Sequence, residues 1–425
     1  MAKNIPLHLV PQDLSLTDKI ILEVADQFGT PLFIYDRQKL ESNWKDLVNH
    51  LPREIKIYYS VKANPSLAIL QIFDKLGANF EVASIGELKS VLQVGVSSSR
   101  IIFIGPGKTA AELQYAIKKQ IYAIVSESRR EVYDIQAYSH DFGQNTRIAL
   151  RINPGQGKGM LAMGGETQFG MDPVTALSIL QDEIHLSNIE ILGIHGYLGT
   201  QILDWRAIIN HSHQLLDIAD ELQQKSGKLF SFIDLGGGFG IRCHETDSSL
   251  NLKELHAGLL DLIGKYIEKF PSIRNIAVES GRFLVGSSGV FVARVLDIKK
   301  SNEQYFVILD GGINAFGGFD RYVGSRPTPI RLLEKENSEE NSVTLCGPLC
   351  TPLDRLAANI LSPLPKNNSL IVFYLAGAYG YSASPGLFLS HGYPSEILIS
   401  QDKSFVIRQR MSLDELIAHQ KILVF

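Results

Sequence analysis

The run Ile55-Lys56-Ile57-Tyr58-Tyr59-Ser60-Val61 (IKIYYSV, 55–61) is short and dominated by β-branched and aromatic residues, and it stops at Lys62-Ala63-Asn64-Pro65. That composition, ended by a turn, predicts a strand. Seven similar runs follow: NFEVAS (79–84), IIFIG (101–105), YAIVS (122–126), RIALRI (147–152), IEILGIHG (189–196), FSFIDL (230–235) and IAVES (276–280). They alternate with helical stretches, the pattern of a parallel sheet covered by helices. Eight is the number of strands that closes a barrel. The fold class expected is therefore α/β, with a (β/α)₈ barrel over residues 37–282. LFIYD (32–36) would be a ninth strand, so it is placed outside the barrel. After residue 283 the pattern changes. VFVARVLDIKKS, YFVILDGG, VTLCGP, LIVFYLAG and SFVIRQRM are strand-like, with little helix between them. Residues 283–425 are expected to form an all-β domain. Residues 1–36 are expected to join it, because chain termini often lie together. ENSEENS (336–342) reads as a solvated loop, and no internal repeat is evident.

A chain of 425 residues, 45% hydrophobic and 20% charged, can bury one large core and a second, smaller one. The net charge of −4 comes without long basic runs, which argues against nucleic acid or an anionic membrane as partner. The N-terminal MAKNIPLHLVPQDLSLTDK lacks the apolar core of a signal peptide, and no apolar run reaches the roughly 18 residues of a membrane span. A cytoplasmic protein is expected. Cys243, Cys346 and Cys350 are too few for a disulfide framework and have no companions at zinc-site spacing, so no metal is expected.

Three features carry chemistry. Lys62 ends the first barrel strand, at the face where barrel active sites are built. Such a lysine can be merely solvated, or, when desolvated, it can form an imine with a carbonyl cofactor. Gly236, Gly237 and Gly238 follow the seventh strand, where backbone N–H groups without intervening Cβ atoms can cradle a phosphate. Glycine runs are also common turns. The eighth strand ends in Glu279-Ser280-Gly281-Arg282. A carboxylate beside a phosphate site is unhelpful unless a cation lies near it, and a protonated pyridine nitrogen is such a cation. Together the three point to pyridoxal 5′-phosphate as cofactor.

With YYSVKANP, EVASIGEL, GIHGYLGTQ, DLGGGFG, ESGRFL, GPLCTPLD and GAYGYSASP in this order, the chain resembles the fold type III pyridoxal phosphate decarboxylases over nearly its whole length. That family includes diaminopimelate, ornithine and arginine decarboxylases, and its TIM barrel is shared with alanine racemase. The resemblance implies that Lys62 is the Schiff-base lysine and that Glu279 pairs with the pyridine nitrogen. It implies that Gly236, Gly237, Gly238, Gly281, Arg282 and Tyr379 hold the phosphate, with Tyr197 and Thr200 also in the cofactor site. Cys350 matches the cysteine that enters from a second subunit and protonates the carbon that lost CO₂, which implies a homodimer with shared active sites. Glu87 and Arg151 match positions close to the site.

Three departures from the family pattern bear on the site. Tyr197 stands where the family usually has a stacking histidine, so it can stack through its π face but carries no charge. His195, two residues earlier, reads as a core or supporting residue. Thr351 stands after Cys350, where relatives that accept a distal ammonium place Glu or Asp, and an uncharged side chain disfavours such a substrate. The Arg-Pro that diaminopimelate decarboxylases carry after DGGxN is absent from DGGINAFGGFDRY. Thr351, Asp354 and Arg321 form the candidate substrate set. MGGETQFGMD (163–172), Tyr197 and CTPLD are similar to the subgroup that decarboxylates glutamate held as a thioester on an acyl carrier protein. A carrier-linked or otherwise acylated amino acid is therefore expected, with loop 155–168 as an adaptable wall for the carrier arm or, equally, a disordered lid. A free small-molecule amino acid, as in a diaminopimelate decarboxylase, a racemase, and a cofactor- or carrier-binding module without activity remain alternatives.

Overall fold

The computed structural model describes residues 3–4, 11, 13–154, 165–182, 184–244, 246–317, 328–336 and 339–424. The chain folds as two compact units. One comprises Met1–Asn43, Arg242–Asp247 and Val285–Phe425, and the other Trp44–Ile241 and Ser248–Leu284. The division thus falls a few residues from the expected 36/37 and 282/283 breaks, and a six-residue excursion, Arg242–Asp247, leaves the span expected to be all barrel.

In the first unit, β1 (Lys3–Asn4) and β2 (Leu32–Asp36) belong to a ten-stranded sheet. The second unit supplies β3 (Ile55–Ser60), β4 (Asn79–Val82), β5 (Ile101–Phe103), β6 (Ala123–Ser126), β7 (Thr146–Arg151), β8 (Ile189–His195), β9 (Phe232–Asp234) and β10 (Asn275–Ser280). These are the eight expected strands. All neighbours run parallel, and β10 pairs with β3 and β9, which closes the barrel. Its interior is filled by large side chains set against small ones: Tyr58, Ile102 and Phe232 beside Ala123, Ala149 and Ala277. That alternation fits side chains from neighbouring strands into a common layer.

The remaining sheet strands are β11 (Gly289–Ser301), β12 (Gln304–Leu309), β13 (Ile330–Leu332), β14 (Asn341–Cys346), β15 (Arg355–Ser362), β16 (Leu370–Phe373), β17 (Ser395–Ser400) and β18 (Lys403–Arg408). β2 lies between β11, antiparallel, and β17, parallel, so LFIYD sits in this sheet and outside the barrel. Helix Asp18–Phe28, opened by Thr17 as N-cap, lays Ile21, Val24 and Ala25 on Leu32, Ile34, Val290, Val292 and Ile397 of the sheet. The polar run ENSEENS is corrected at its end: Asn341 and Ser342 open β14 and pair with Ser362 and Leu361 of β15. No helix among the described residues is long and apolar enough to cross a membrane.

Candidate active site

Lys62 follows β3 in a single 3₁₀ turn, Val61–Ala63, that Asn64 and Pro65 stop from continuing. Its Nζ lies 3.1 and 3.2 Å from the two carboxylate oxygens of Glu81, at the C-terminal end of β4, and 5.5 Å from the ring centre of Tyr197. Glu81 is fully buried. Burial pushes its carboxyl above the ordinary range, and Lys62 opposes that shift. Close by in sequence, Glu87 accepts the Ala83 N–H at 2.7 Å, and burial pushes it up to about 7.

The glycine loop makes contacts that no other residue type allows. A Cβ on Gly237 would sit 1.9 Å from the Glu279 carbonyl oxygen, and one on Gly238 2.2 Å from that of Gly199. The Glu279 N–H donates to Gly236 O at 2.8 Å, and Ile202 N–H to Gly238 O at 2.8 Å. No described group accepts from the N–H of Gly237 or Gly238, which leaves both for an anion. Thr200 lies in the loop that Gly238 abuts. Gly281 brings the end of β10 against β3, where a Cβ would meet Ala63 Cβ at 2.7 Å, and Arg282 follows it as the first residue of helix Arg282–Val285.

Glu279 has His195 Nε2 at 3.0 Å from Oε1, while its Oε2 has no partner. Asp234 belongs to the same cluster: ligating atoms of His195, Asp234 and Glu279 lie within 4.8 Å of one another, all buried. Arg151 is held by Glu127 at 2.7 Å, and Glu127 also receives the N–H groups of Gly105 and Gly170, both at 3.0 Å. Lys108 is buried on three acceptors: Gly105 O and Val125 O at 2.7 Å, and Glu131 Oε1 at 2.6 Å.

The barrel thus brings Lys62, Tyr197, the glycine loop and Glu279 to the C-terminal ends of its strands. Glu81, Asp234, Glu127 and Lys108 were not expected there. A charge between Phe80 and Val82 in NFEVAS was the available signal for Glu81. Cys350, Thr351, Asp354 and Tyr379 belong to the sheet unit. Cys350 is exposed, and Tyr379 has the left-handed φ of 58°. The Asp354 carboxylate is buried and taken by the N–H groups of Ile313 and Leu349, both at 2.8 Å. Thr351 Oγ1 accepts the Leu353 N–H at 3.3 Å. Arg321 and most of loop 155–168 lie outside the described residues.

Residues 37–286 match the family described as pyridoxal-dependent decarboxylase, pyridoxal binding domain. The chain belongs to the pyridoxal-dependent decarboxylases. This decarboxylase is 33% identical to the L-glutamyl-[BtrI acyl-carrier protein] decarboxylase of Niallia circulans over 417 residues, 96% of the chain and 97% of that protein. It is 30% identical to the diaminopimelate decarboxylase of Zymomonas mobilis over 430 residues, 98% of the chain and 99% of that protein. The diaminopimelate decarboxylase of Helicobacter pylori, solved with L-lysine (I148L mutant), superposes with a TM-score of 0.86 at 29% identity, covering 94% of this chain and 98% of that one. The cofactor is pyridoxal phosphate. The barrel suits it: a lysine beside a buried carboxylate, two uncommitted glycine N–H groups, and an unpartnered carboxylate oxygen facing no other donor.

Proposed function

We propose that this decarboxylase removes the α-carboxylate of a glutamyl group carried as a thioester on an acyl carrier protein. The observation that carries the reading is the chemistry of GPLCTPLD. Thr351 offers no charge, and Asp354, the one acid of that motif, spends its carboxylate on backbone N–H groups. Neither is available to pair with a distal ammonium, and a thioester-bound glutamyl group has none. The likeness to the carrier-protein-linked glutamate decarboxylase supports the same substrate.

In this reading Lys62 carries the cofactor covalently. Gly236, Gly237, Gly238, Gly281, Arg282 and Tyr379 hold its phosphate, with Thr200 beside them. Tyr197 would pack against the ring, and Glu279, whose Oε2 is unpartnered, would face the ring nitrogen. Bound there, pyridoxal phosphate supplies an electron-poor ring that takes up the electron pair left by departing CO₂. When Lys62 is not joined to the cofactor, Glu81 holds its ammonium in place and, with a carboxyl above the ordinary range, lowers the cost of moving a proton on or off it. Cys350, supplied by a second copy of the chain, gives a proton to the carbon that lost the carboxylate. Incubation with glutamyl-loaded carrier protein, free glutamate and diaminopimelate tests the substrate. Mass spectrometry should show loss of CO₂ from the carrier-bound group only. Lysine formed from diaminopimelate at a comparable rate would overturn the reading in favour of the diaminopimelate relatives.

A further inference from the structure

Three buried groups stand side by side at the ends of adjoining strands. His195 closes β8 and faces Asp234, the last residue of β9, in the parallel register. Glu279 sits one residue before the end of β10. The His195 and Glu279 side chains are 0% and 1% exposed, and they meet at 3.0 Å through Nε2 and Oε1. Asp234 Oδ1 accepts the Gly236 N–H at 2.9 Å. Three atoms have no partner: His195 Nδ1, Asp234 Oδ2 and Glu279 Oε2.

Few proton arrangements satisfy this geometry. A neutral imidazole has one N–H. On Nδ1 it would be a buried donor with nothing to accept it. On Nε2 it donates to Glu279, and only an acceptor lone pair is left bare, the cheaper of the two deficits. An imidazolium would restore the orphaned Nδ1–H and add a buried charge. Burial, helped by Arg151, pushes His195 down to about 3, which keeps the ring neutral. The two carboxyl groups pose the second constraint, because like charges this close and this far from water do not both ionise. Burial raises both carboxyls; against it Glu279 has the imidazole N–H and the nearby cations Lys62 and Arg151. Asp234 has one backbone N–H, and burial together with Glu279 pushes it well above the ordinary range.

We propose that His195, as the Nε2–H imidazole, is the positioning residue for Glu279, and that Asp234 is the neutral acid, so that the three groups present a single negative charge through Glu279 Oε2. The proposal rests on the reading of Glu279 as the partner of the ring nitrogen, and it adds what holds that carboxylate ionised and aimed. One negative charge matches one ring N–H⁺; two would leave an uncompensated charge in the barrel.

The test uses the full-length holoenzyme. With ¹⁵N-labelled histidine, the His195 ring signals, recognised by their absence in His195→Gln, should place the proton on Nε2. The infrared difference spectrum of wild type against Asp234→Asn should show a buried-acid carbonyl band carried by Asp234. His195→Phe removes the donor and should lower kcat and pyridoxal phosphate affinity about 10–100-fold, the range for a lost hydrogen bond to a charged group, with KM little changed. His195→Gln returns an N–H to the Nε2 position and should recover most of that loss. A proton on Nδ1 or on both nitrogens, coinciding infrared spectra, or a Gln variant no better than Phe would overturn the proposal. If a variant does not fold, the labelled wild-type protein still decides the tautomer. Failure of wild-type protein to take up cofactor would instead sink the reading of Glu279.

Discussion

Gly237→Ala should disable cofactor binding while leaving the barrel folded. The added Cβ would lie 1.9 Å from the Glu279 carbonyl oxygen, about 1.5 Å short of the 3.4 Å at which ordinary contact begins. That neighbour is backbone of β10, so no side-chain rotation relieves the overlap. Either the glycine loop withdraws or the end of β10 moves, and Glu279 moves with it. Overpacking of this kind costs roughly 1–3 kcal/mol of stability. The functional cost is larger, because a displacement of about 1 Å at a reacting site can remove ~10²-fold of rate. Pyridoxal phosphate titration by absorbance and CO₂ release should both show a loss of about two decades. The matched control is Gly264→Ala, in helix Leu252–Lys269, where a Cβ meets nothing within 4 Å. There the same change should stabilise by up to about 1 kcal/mol through helix propensity. Wild-type cofactor affinity in Gly237→Ala would refute the claim that this loop grips the phosphate through its backbone.

Lys108→Met leaves Glu131 buried without its cation and should cost about 3–5 kcal/mol, lowering the calorimetric melting temperature on the order of 10 °C; an unchanged melt would mean that the pair is dispensable. Burial holds Glu87 at about 7 against its ordinary 4.5, so the folded chain keeps a proton that the unfolded chain releases. The resulting stability is fully present below pH 4.5 and is lost as pH rises through 7, so Glu87→Gln should gain on wild type by up to about 3 kcal/mol between these limits in pH-resolved denaturation. A gap between the two proteins that does not widen with pH would contradict the burial argument. Cys350→Ala should keep wild-type cofactor absorbance yet slow or misdirect amine formation; normal product at normal rate would remove Cys350 from the reaction.

The barrel was legible in the sequence because each strand is a short apolar run cut off by turn residues, and LFIYD could be set aside because eight strands already close it. The sheet unit was less so. β13 is only three residues long, and β15 carries register shifts and a left-handed Asn359 that break its alternation. β17 hides a buried Glu396 in SEILIS, which reads as polar until Tyr35 and Arg408 are seen to satisfy it. Lys62, the glycine loop and Glu279 announce themselves by position at strand ends. Glu81 and Asp234 do not, since each owes its role to a partner on a neighbouring strand that only the parallel pairing supplies. His195 was read as a core or supporting residue, and its Nε2 contact with Glu279 gives that support a definite object.

The most direct test of the account is chemical. Borohydride treatment of the purified, cofactor-supplemented protein, followed by peptide mapping, should place a reduced pyridoxyl group on Lys62 in YYSVKANP. A label on a different lysine, or none at all while the protein releases CO₂, would contradict it.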